Sequence, residues 1–131
     1  MKIAIDWDDT LEHAHIQAHI KKLIQMGHEL HIVTTRYDED HKHLYSFWQS
    51  LSELQRDDLH KKLYAVAGEL NIPIHFTNMA WKAQFLQDKG FDVLIDDDFD
   101  EKIGLDGTKI IFIWSKRAKY LKAFIKKIQK I

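Results

Sequence analysis

Two short apolar runs that each end at aspartates constrain the fold of this chain most strongly. Lys2–Ile5 is followed by Asp6, and Phe91–Ile95 is followed by Asp96. Short, largely apolar runs of this kind are typical of buried strands in a parallel sheet that helices cover on both faces. The sequence therefore predicts an α/β protein in which two buried strands end in carboxylates.

Stretches with helical spacing alternate with further apolar strands. Gly27 and Gly90 are placed to end helices over 11–26 and 80–89, and a terminal helix follows the last strand. Strands are predicted over 2–5, 29–34, 72–76, 91–95 and 109–114. We therefore expect one Rossmann-like α/β/α sandwich with a mostly parallel five-stranded sheet, in which sites form at the carboxyl ends of the strands.

The segment between the second and third predicted strands is longer than one crossover requires. Residues 38–70 contain two helical patterns, over 44–54 and 59–70, with Arg56–Asp58 as the break between them. We expect a single domain over 1–131 that carries this extra helical segment.

The nearly neutral net charge of −1 conceals an uneven distribution. Residues 116–131 contain seven basic residues and no acidic one, so residues 1–115 carry 12 basic and 20 acidic residues, a net charge of −8. A generally basic nucleic-acid-binding surface is therefore excluded. The terminal helix itself either forms a solvated face that complements the helix dipole or contacts nucleic-acid phosphates. Its basic residues are Lys116, Arg117, Lys119, Lys122, Lys126, Lys127 and Lys130.

Because the chain has no cysteine, disulfides and thiolate chemistry are excluded, and any metal must be held by oxygen or imidazole. The pairs His15/His19 and His41/His43 suggest zinc, but neither has a second half with metal-ligand spacing. The first apolar run stops at Asp6, and no later stretch approaches a membrane span. We expect a cytoplasmic protein with no membrane partner.

The candidate functional side chains lie at or near the carboxyl ends of the predicted strands. Carboxylates that converge in one crevice repel one another and raise one another's pKa values unless a cation neutralises them. Mg²⁺ fits oxygen ligands of this kind, because it takes one or two carboxylates together with water and phosphate oxygens. The carboxylates of this set therefore predict a magnesium site. The candidate functional residues at or near the strand ends are Asp6, Asp8, Thr34, Lys82, Asp96 and Asp97.

Two of these candidates indicate a phosphorylated substrate. An ammonium group and a hydroxyl beside a metal are donors suited to a phosphoryl group, and Lys82 and Thr34 supply them. A carboxylate at the metal can attack phosphorus and form an aspartyl-phosphate intermediate. A second carboxyl two residues later can protonate the leaving oxygen and then activate water. Asp6 and Asp8 have this spacing.

Four motifs resemble those of the haloacid dehalogenase superfamily of phosphohydrolases, and they occur in that family's order along nearly the whole chain. The first, a strand followed by Asp-x-Asp-x-Thr, matches Ile3–Thr10, and the second, a strand ending in threonine, matches His31–Thr34. The third is Lys82 on the helix before the fourth strand. The fourth, an apolar strand followed by two acids, matches Val93–Asp97.

This resemblance implies a Mg²⁺-dependent phosphatase that forms an aspartyl-phosphate intermediate. Asp6 would be the nucleophile and a metal ligand, and Asp8 the general acid/base that also offers its backbone carbonyl to the metal. Thr34 and Lys82 would hold the phosphoryl oxygens, with Lys82 also neutralising Asp6.

The fourth motif admits two registers. By the resemblance, Asp96 binds Mg²⁺, and Asp97 acts on it directly or through water. Three successive acids followed by Asp100 also allow an Asp96/Asp100 pair. The end of the apolar run at Ile95 favours Asp96 and Asp97.

The first two motifs also show departures. Asp9 stands where many relatives have glycine. Thr35 competes with Thr34, although the Thr-x-Arg pattern of some capless relatives favours Thr34. That pattern makes Arg36 a candidate contact for phosphate or substrate.

The positions where relatives carry a cap offer little room for one here. Thr10 leads directly into a helix, and no long insertion follows the third strand. The chain therefore resembles capless members, which act on larger substrates or close the site by oligomerising, with 38–70 as a partial cap. We expect a nucleotide or nucleic-acid end as substrate. We expect the four tryptophans, Trp7, Trp48, Trp81 and Trp114, in the core or in the walls of a pocket. Trp7 and Trp81 flank motif residues and are also candidates for stacking on a base.

Two other functions fit part of the pattern. A phospho-accepting receiver domain also combines acidic residues, a threonine and a lysine on a parallel sheet, but its lysine follows the last strand. Here Lys82 precedes the second acidic cluster. A non-catalytic phosphate-binding protein is the other alternative, and the intact pair Asp6 and Asp8 argues against it.

Overall fold

The computed structural model describes residues 1–129 and contains a sheet of five strands, all parallel. The strands are β1 (Lys2–Ile5), β2 (Glu29–Thr34), β3 (Ile74–Phe76), β4 (Val93–Asp96) and β5 (Ile111–Trp114). Their order across the sheet is β3-β2-β1-β4-β5. The predicted Rossmann-like α/β/α fold is therefore confirmed.

Helices cover both faces of the sheet. They are α1 (Ala14–Gln25), α2 (Glu53–Asp57), α3 (Lys61–Leu70), α4 (Ala83–Asp88), α5 (Glu101–Gly104) and α6 (Ala118–Gln129). Ile3 and Ile5 of β1 face the larger apolar cluster, beneath α1, α3 and α6, whereas Ala4 faces a smaller cluster beneath α4 and α5. This division follows from the alternation of side chains along a strand.

The strand order creates a crevice at one edge of the sheet. The chain runs outward from β1 through β2 to β3, and then crosses to the opposite side of β1 for β4 and β5. The connections that leave β1 and β4 therefore depart in opposite directions. The place between β1 and β4 where they diverge is the switch point of the sheet, and ligand sites form there in open α/β sheets. Asp6 directly follows β1, and Asp96 ends β4. The fold thus brings these two carboxylates to one crevice.

The prediction of a helix over 44–54 is wrong. This region contains two 3₁₀ turns, Lys42–Leu44 and Trp48–Ser50, and the short helix α2 begins only at Glu53. The apolar side chains that suggested a buried helical face do not pack on the core, since Leu44 and Leu54 are 53% and 70% exposed. The other predicted helices are present with shifted ends, and α5 was not predicted.

The second half of the 38–70 segment belongs to the core. Leu63 of α3 is completely buried, and Val66 and Ala67 join it in the larger cluster. The predicted single domain over 1–131 stays a prediction, and Lys130 lies outside the described residues. Within residues 1–129, no helix combines the length and apolarity that crossing a membrane requires.

A substitution in α3 tests whether this segment folds together with the sheet. We expect Leu63→Ala to lower the free energy of unfolding by about 2–5 kcal/mol in one cooperative transition, because it leaves a cavity in the shared core. Urea denaturation followed by circular dichroism measures this change. Leu54→Ala is the matched control and should change stability by no more than about 0.5 kcal/mol. A separate early transition for Leu63→Ala would show that the segment unfolds independently.

Candidate active site

A strongly acidic crevice of about 490 Å³ lies at the carboxyl ends of β1 and β4. Eight acidic residues and a single lysine line it, together with Thr35 and Phe99. The acidic residues are Asp6, Asp8, Asp9, Asp96, Asp97, Asp98, Asp100 and Glu101.

Lys82 lies at the centre of this crevice, immediately before α4. Its side chain is almost completely buried, and its ammonium group donates to Asp6 Oδ1 at 2.7 Å and to Asp96 Oδ2 at 2.5 Å. One ammonium therefore faces two buried carboxylates. When all three groups are ionised, the cluster keeps one net negative charge.

The pKa values reflect this shared arrangement. Burial raises the pKa of Asp6 well above its ordinary value and also raises that of Asp96, while the Lys82 ammonium acts against both increases. Burial alone would lower the pKa of Lys82, but the two carboxylates outweigh it and raise this pKa. Lys82 therefore stays protonated. Burial disfavours the ionised forms of Asp6 and Asp96, and additional positive charge nearby would favour them.

Neighbouring donors hold the remaining oxygens of the carboxylates. The backbone N–H of Asp98 donates to Asp96 Oδ1 at 3.0 Å. The buried Thr10 hydroxyl lies 3.3 Å from Asp6 Oδ2 and 3.4 Å from Asp97 Oδ1, and it also contacts Ser115 Oγ at 3.0 Å. These contacts fix the carboxylates in place without neutralising their charge.

The turn after β1 explains how Asp6 and Asp8 come to occupy the crevice. The backbone N–H of Asp6 donates to Ile95 O at 2.9 Å, which extends the pairing of β1 with β4 by one residue. Trp7 is buried and anchors the turn to the core. Asp9 has a φ of 55°, in the left-handed region that glycine prefers and that aspartate tolerates better than most residues. Aspartate at position 9 is therefore compatible with this turn.

Arg36 makes a bidentate ion pair with Asp8. Its Nε and Nη2 donate to the two carboxylate oxygens of Asp8 at 3.0 and 2.8 Å. The same guanidinium donates through Nη1 to Leu59 O at 2.8 Å. Planar pairs of this kind fix the direction of both side chains. Arg36 thus holds Asp8 and connects it to the chain just before α3.

His60 supports Arg36 from the buried side. Its Nε2 lies 2.7 Å from Tyr37 O, a pure acceptor, so Nε2 carries the proton and Nδ1 accepts from Arg36 Nη1 at 3.1 Å. Burial lowers the pKa of His60, which favours this neutral form. The extra helical segment therefore helps to shape the site, because Leu59 and His60 of this segment contact Arg36.

The structure brings most of the predicted metal ligands together. Asp6, Asp96 and Asp97 each place a carboxylate oxygen within 4.8 Å of the others, and Asp100 is not in this group. Within the described residues 1–129, neither histidine pair considered for zinc belongs to such a group. A second group of possible metal ligands within these residues consists of Asp9, Glu12 and His13, and it is largely exposed.

Thr34 and Thr35 differ in their access to the crevice, and Trp7 and Trp81 differ in their exposure. Thr34 is completely buried, and its hydroxyl accepts from the backbone N–H of Arg36 at 3.2 Å, whereas Thr35 lines the crevice. Trp7 is 1% exposed and so is not available to a base, while Trp81 is 63% exposed beside Lys82.

Several residues of the site were not expected from the sequence. Glu101 is buried and accepts from the backbone N–H of Lys82 at 3.1 Å, which fixes the start of α4. Ser115 follows β5 directly, so its place at a strand end was a usable signal. His60 lies far from the motifs along the chain, and no local pattern marks it.

Comparison with known protein families found no family model that matches this chain, and comparison with curated proteins found no match. Its function is therefore inferred from its residues and their geometry.

Replacement of the central lysine tests the charge balance of the cluster. We expect Lys82→Met to lower the free energy of unfolding by about 3–5 kcal/mol, because it leaves two buried carboxylates without a partner. The loss should be smaller near about pH 5 than near about pH 8, since protonation of Asp6 and Asp96 removes the unpaired charge. Denaturation at both pH values measures it, with the exposed Lys89→Met as control. An equal loss at both values would contradict this account.

Proposed function

We propose that this protein is a Mg²⁺-dependent phosphatase of the haloacid dehalogenase type, which hydrolyses a phosphomonoester through an aspartyl-phosphate on Asp6. The observation that carries the proposal is the buried contact of Lys82 with both Asp6 and Asp96 at the switch point of the sheet. These residues come from three separate motifs. Their convergence is what the resemblance requires.

The donor set fits a divalent cation. Three carboxylates from the ends of β1 and β4 approach one another, and the lysine supplies only one positive charge to this group. All the ligand atoms are oxygens, which Mg²⁺ prefers. Asp6, Asp96 and Asp97 would hold the ion, with the backbone carbonyl of Asp8. When bound, Mg²⁺ would neutralise the carboxylates and draw negative charge from the phosphoryl oxygens.

The same charge balance explains why the ion matters for the substrate. A phosphomonoester is a dianion, and it would enter a crevice lined by eight acidic residues. Lys82 cannot offset this repulsion alone because both of its neighbours are carboxylates. We therefore infer that substrate and cation bind together.

The proposed reaction has two steps. A carboxylate oxygen of Asp6 forms a bond to phosphorus, and the bond from phosphorus to the leaving oxygen breaks. Asp8 would take up a proton on one oxygen, which then leaves the pair with Arg36, and give this proton to the leaving oxygen, while its other oxygen stays bound to the guanidinium. Water then attacks phosphorus, its proton passes to Asp8, and the bond from phosphorus to Asp6 breaks. The net products are an alcohol and inorganic phosphate.

Other side chains would position the reacting groups. Lys82 would contact a phosphoryl oxygen while it holds Asp6 in place. The second phosphate donor is a hydroxyl of the Thr34/Thr35 pair, of which Thr35 lines the crevice. Arg36 would act on Asp8 rather than on phosphate, since Asp8 occupies two of its donors. Cytoplasmic localisation and closure of the site in a homo-oligomer stay predictions.

Hydrolysis of p-nitrophenyl phosphate tests the proposal. We expect wild-type protein to release p-nitrophenolate with Mg²⁺ and to lose this activity in EDTA. Asp6→Asn should lower kcat by about 10³-fold or more, because an amide is a far weaker nucleophile than a carboxylate. The exposed Asp106→Asn is the matched control and should keep wild-type activity. Full activity in Asp6→Asn would overturn the assignment of the nucleophile.

Asp8→Asn distinguishes an enzyme from a phospho-accepting domain. Because p-nitrophenolate leaves without a proton, this variant should give a stoichiometric burst followed by slow turnover. A burst without turnover in the wild type would instead favour a receiver-like role. Absence of both burst and turnover, with phosphate still bound, would favour a non-catalytic protein.

The pairing of Arg36 with Asp8 leads to a separate prediction. We expect Arg36→Lys to lower kcat by about ten- to a hundredfold with little change in KM, because lysine cannot hold both oxygens of Asp8. Steady-state kinetics with p-nitrophenyl phosphate measure this change. Arg56→Lys, which lies outside the crevice, is the control. A large rise in KM at unchanged kcat would show that Arg36 binds the substrate directly.

A further inference from the structure

A strip of aromatic side chains leads away from the acidic crevice. It consists of Phe99, Trp114 and Tyr120, whose neighbouring ring centroids are 5.4 and 6.4 Å apart. Phe99 and Tyr120 are 49% and 43% exposed. The three rings line a groove of about 700 Å³ beside β5 and α6. This aromatic strip is not used in the reaction proposed above.

A basic side chain accompanies each ring of the aromatic strip. Lys102 Nζ lies 5.2 Å from the centroid of Phe99, and Lys119 Nζ lies 5.2 Å from that of Tyr120. Arg117 Cζ lies 6.0 Å from the centroid of Trp114. Lys127 also lines the groove, and none of the acidic side chains within residues 1–129 lines it. The groove therefore combines flat apolar faces with positive charge.

The aromatic strip is continuous with the acidic crevice. Phe99 lines both of them. Trp114 Nε1 donates to Asp97 O at 2.9 Å, which ties the second ring to the backbone of the carboxylate cluster. A molecule that lies on the strip would therefore reach the crevice with one end.

We propose that the aromatic strip binds single-stranded nucleic acid and that its phosphorylated end is the substrate of the crevice. Proteins that bind single strands stack bases on aromatic rings and hold the intervening phosphates with basic side chains. Here Lys102 and Lys127 line the same groove as the three rings. Arg117 and Lys119 add positive charge beside Trp114 and Tyr120. The part concerning the substrate rests on the phosphatase function proposed above.

The distribution of charge supports this occupant. The acidic crevice repels every phosphate that no cation neutralises, so a phosphate would enter it only together with a cation. The internal phosphates would lie beside Lys102 and Lys127, which line the groove. In a duplex the base faces are stacked on one another and cannot reach the rings. The geometry therefore favours a single strand over a duplex.

Equilibrium binding tests the aromatic strip independently of catalysis. Fluorescence anisotropy with unphosphorylated single strands of about eight nucleotides, as DNA and as RNA, measures affinity and its salt dependence. We expect Tyr120→Ala to weaken binding about tenfold or more, and Lys127→Ala to weaken binding and reduce the salt slope by about one. Tyr64→Ala and Lys62→Ala, on exposed positions of α3, are the matched controls. A duplex of equal length should bind more weakly.

Turnover connects the strip to the crevice. With strands phosphorylated at the 3′ or the 5′ end, Tyr120→Ala should lower kcat/KM for the oligonucleotide about tenfold relative to kcat/KM for p-nitrophenyl phosphate. Far-UV circular dichroism checks that the variant is folded. The end that is dephosphorylated identifies the direction of the strand.

Three results would overturn the proposal or part of it. If the wild type does not bind single strands, or if neither Tyr120→Ala nor Lys127→Ala weakens binding, the strip is not a nucleic-acid site, even where p-nitrophenyl phosphate is hydrolysed. If the wild type instead forms a dimer that Tyr120→Ala dissociates, the groove is an interface between copies. If strands bind in a Tyr120-dependent way but no phosphate is released from any substrate, the strip is a nucleic-acid site and the proposed phosphatase function is wrong.

Discussion

The contact of one buried ammonium with two buried carboxylates determines how this site is built. Lys82 connects the start of α4 to the ends of β1 and β4, which lie far apart along the chain. Removing three charged groups from water is costly, and their attraction offsets that cost only when the geometry is good and further hydrogen bonds are made. The backbone N–H of Asp98 and the hydroxyl of Thr10 supply such bonds. Close packing at the switch point of the sheet keeps all of these groups in place.

This arrangement leaves a negative charge that the fold itself does not neutralise. Because burial raises the pKa values of both Asp6 and Asp96, it disfavours the form in which both carboxylates are ionised. A cation that pairs with this ionised form would offset that cost and make the binding of an anion feasible. Arg36 does not serve this purpose, since Asp8, Leu59 and His60 take up its donors. Its contacts instead connect the extra helical segment to the proposed acid/base.

The strands and the carboxylate cluster were predictable because their signals are local. Each strand is a short apolar run, and Asp6 and Asp96 come directly where such a run stops. The predicted helix over 44–54 failed because helical spacing does not specify whether a surface exists for Leu44 and Leu54 to pack on. The roles of His60 and Glu101 could not be predicted either, since both arise from contacts between segments remote in sequence.

The fold places many of the acidic and many of the basic residues at two neighbouring sites. Acidic residues from the ends of β1 and β4 gather in the crevice, while basic residues beside β5 and α6 flank the groove that adjoins it. A small phosphorylated molecule would contact only the acidic side, where it depends on the cation. A polyanion would gain from both sides, because its internal phosphates avoid the crevice while its end enters it.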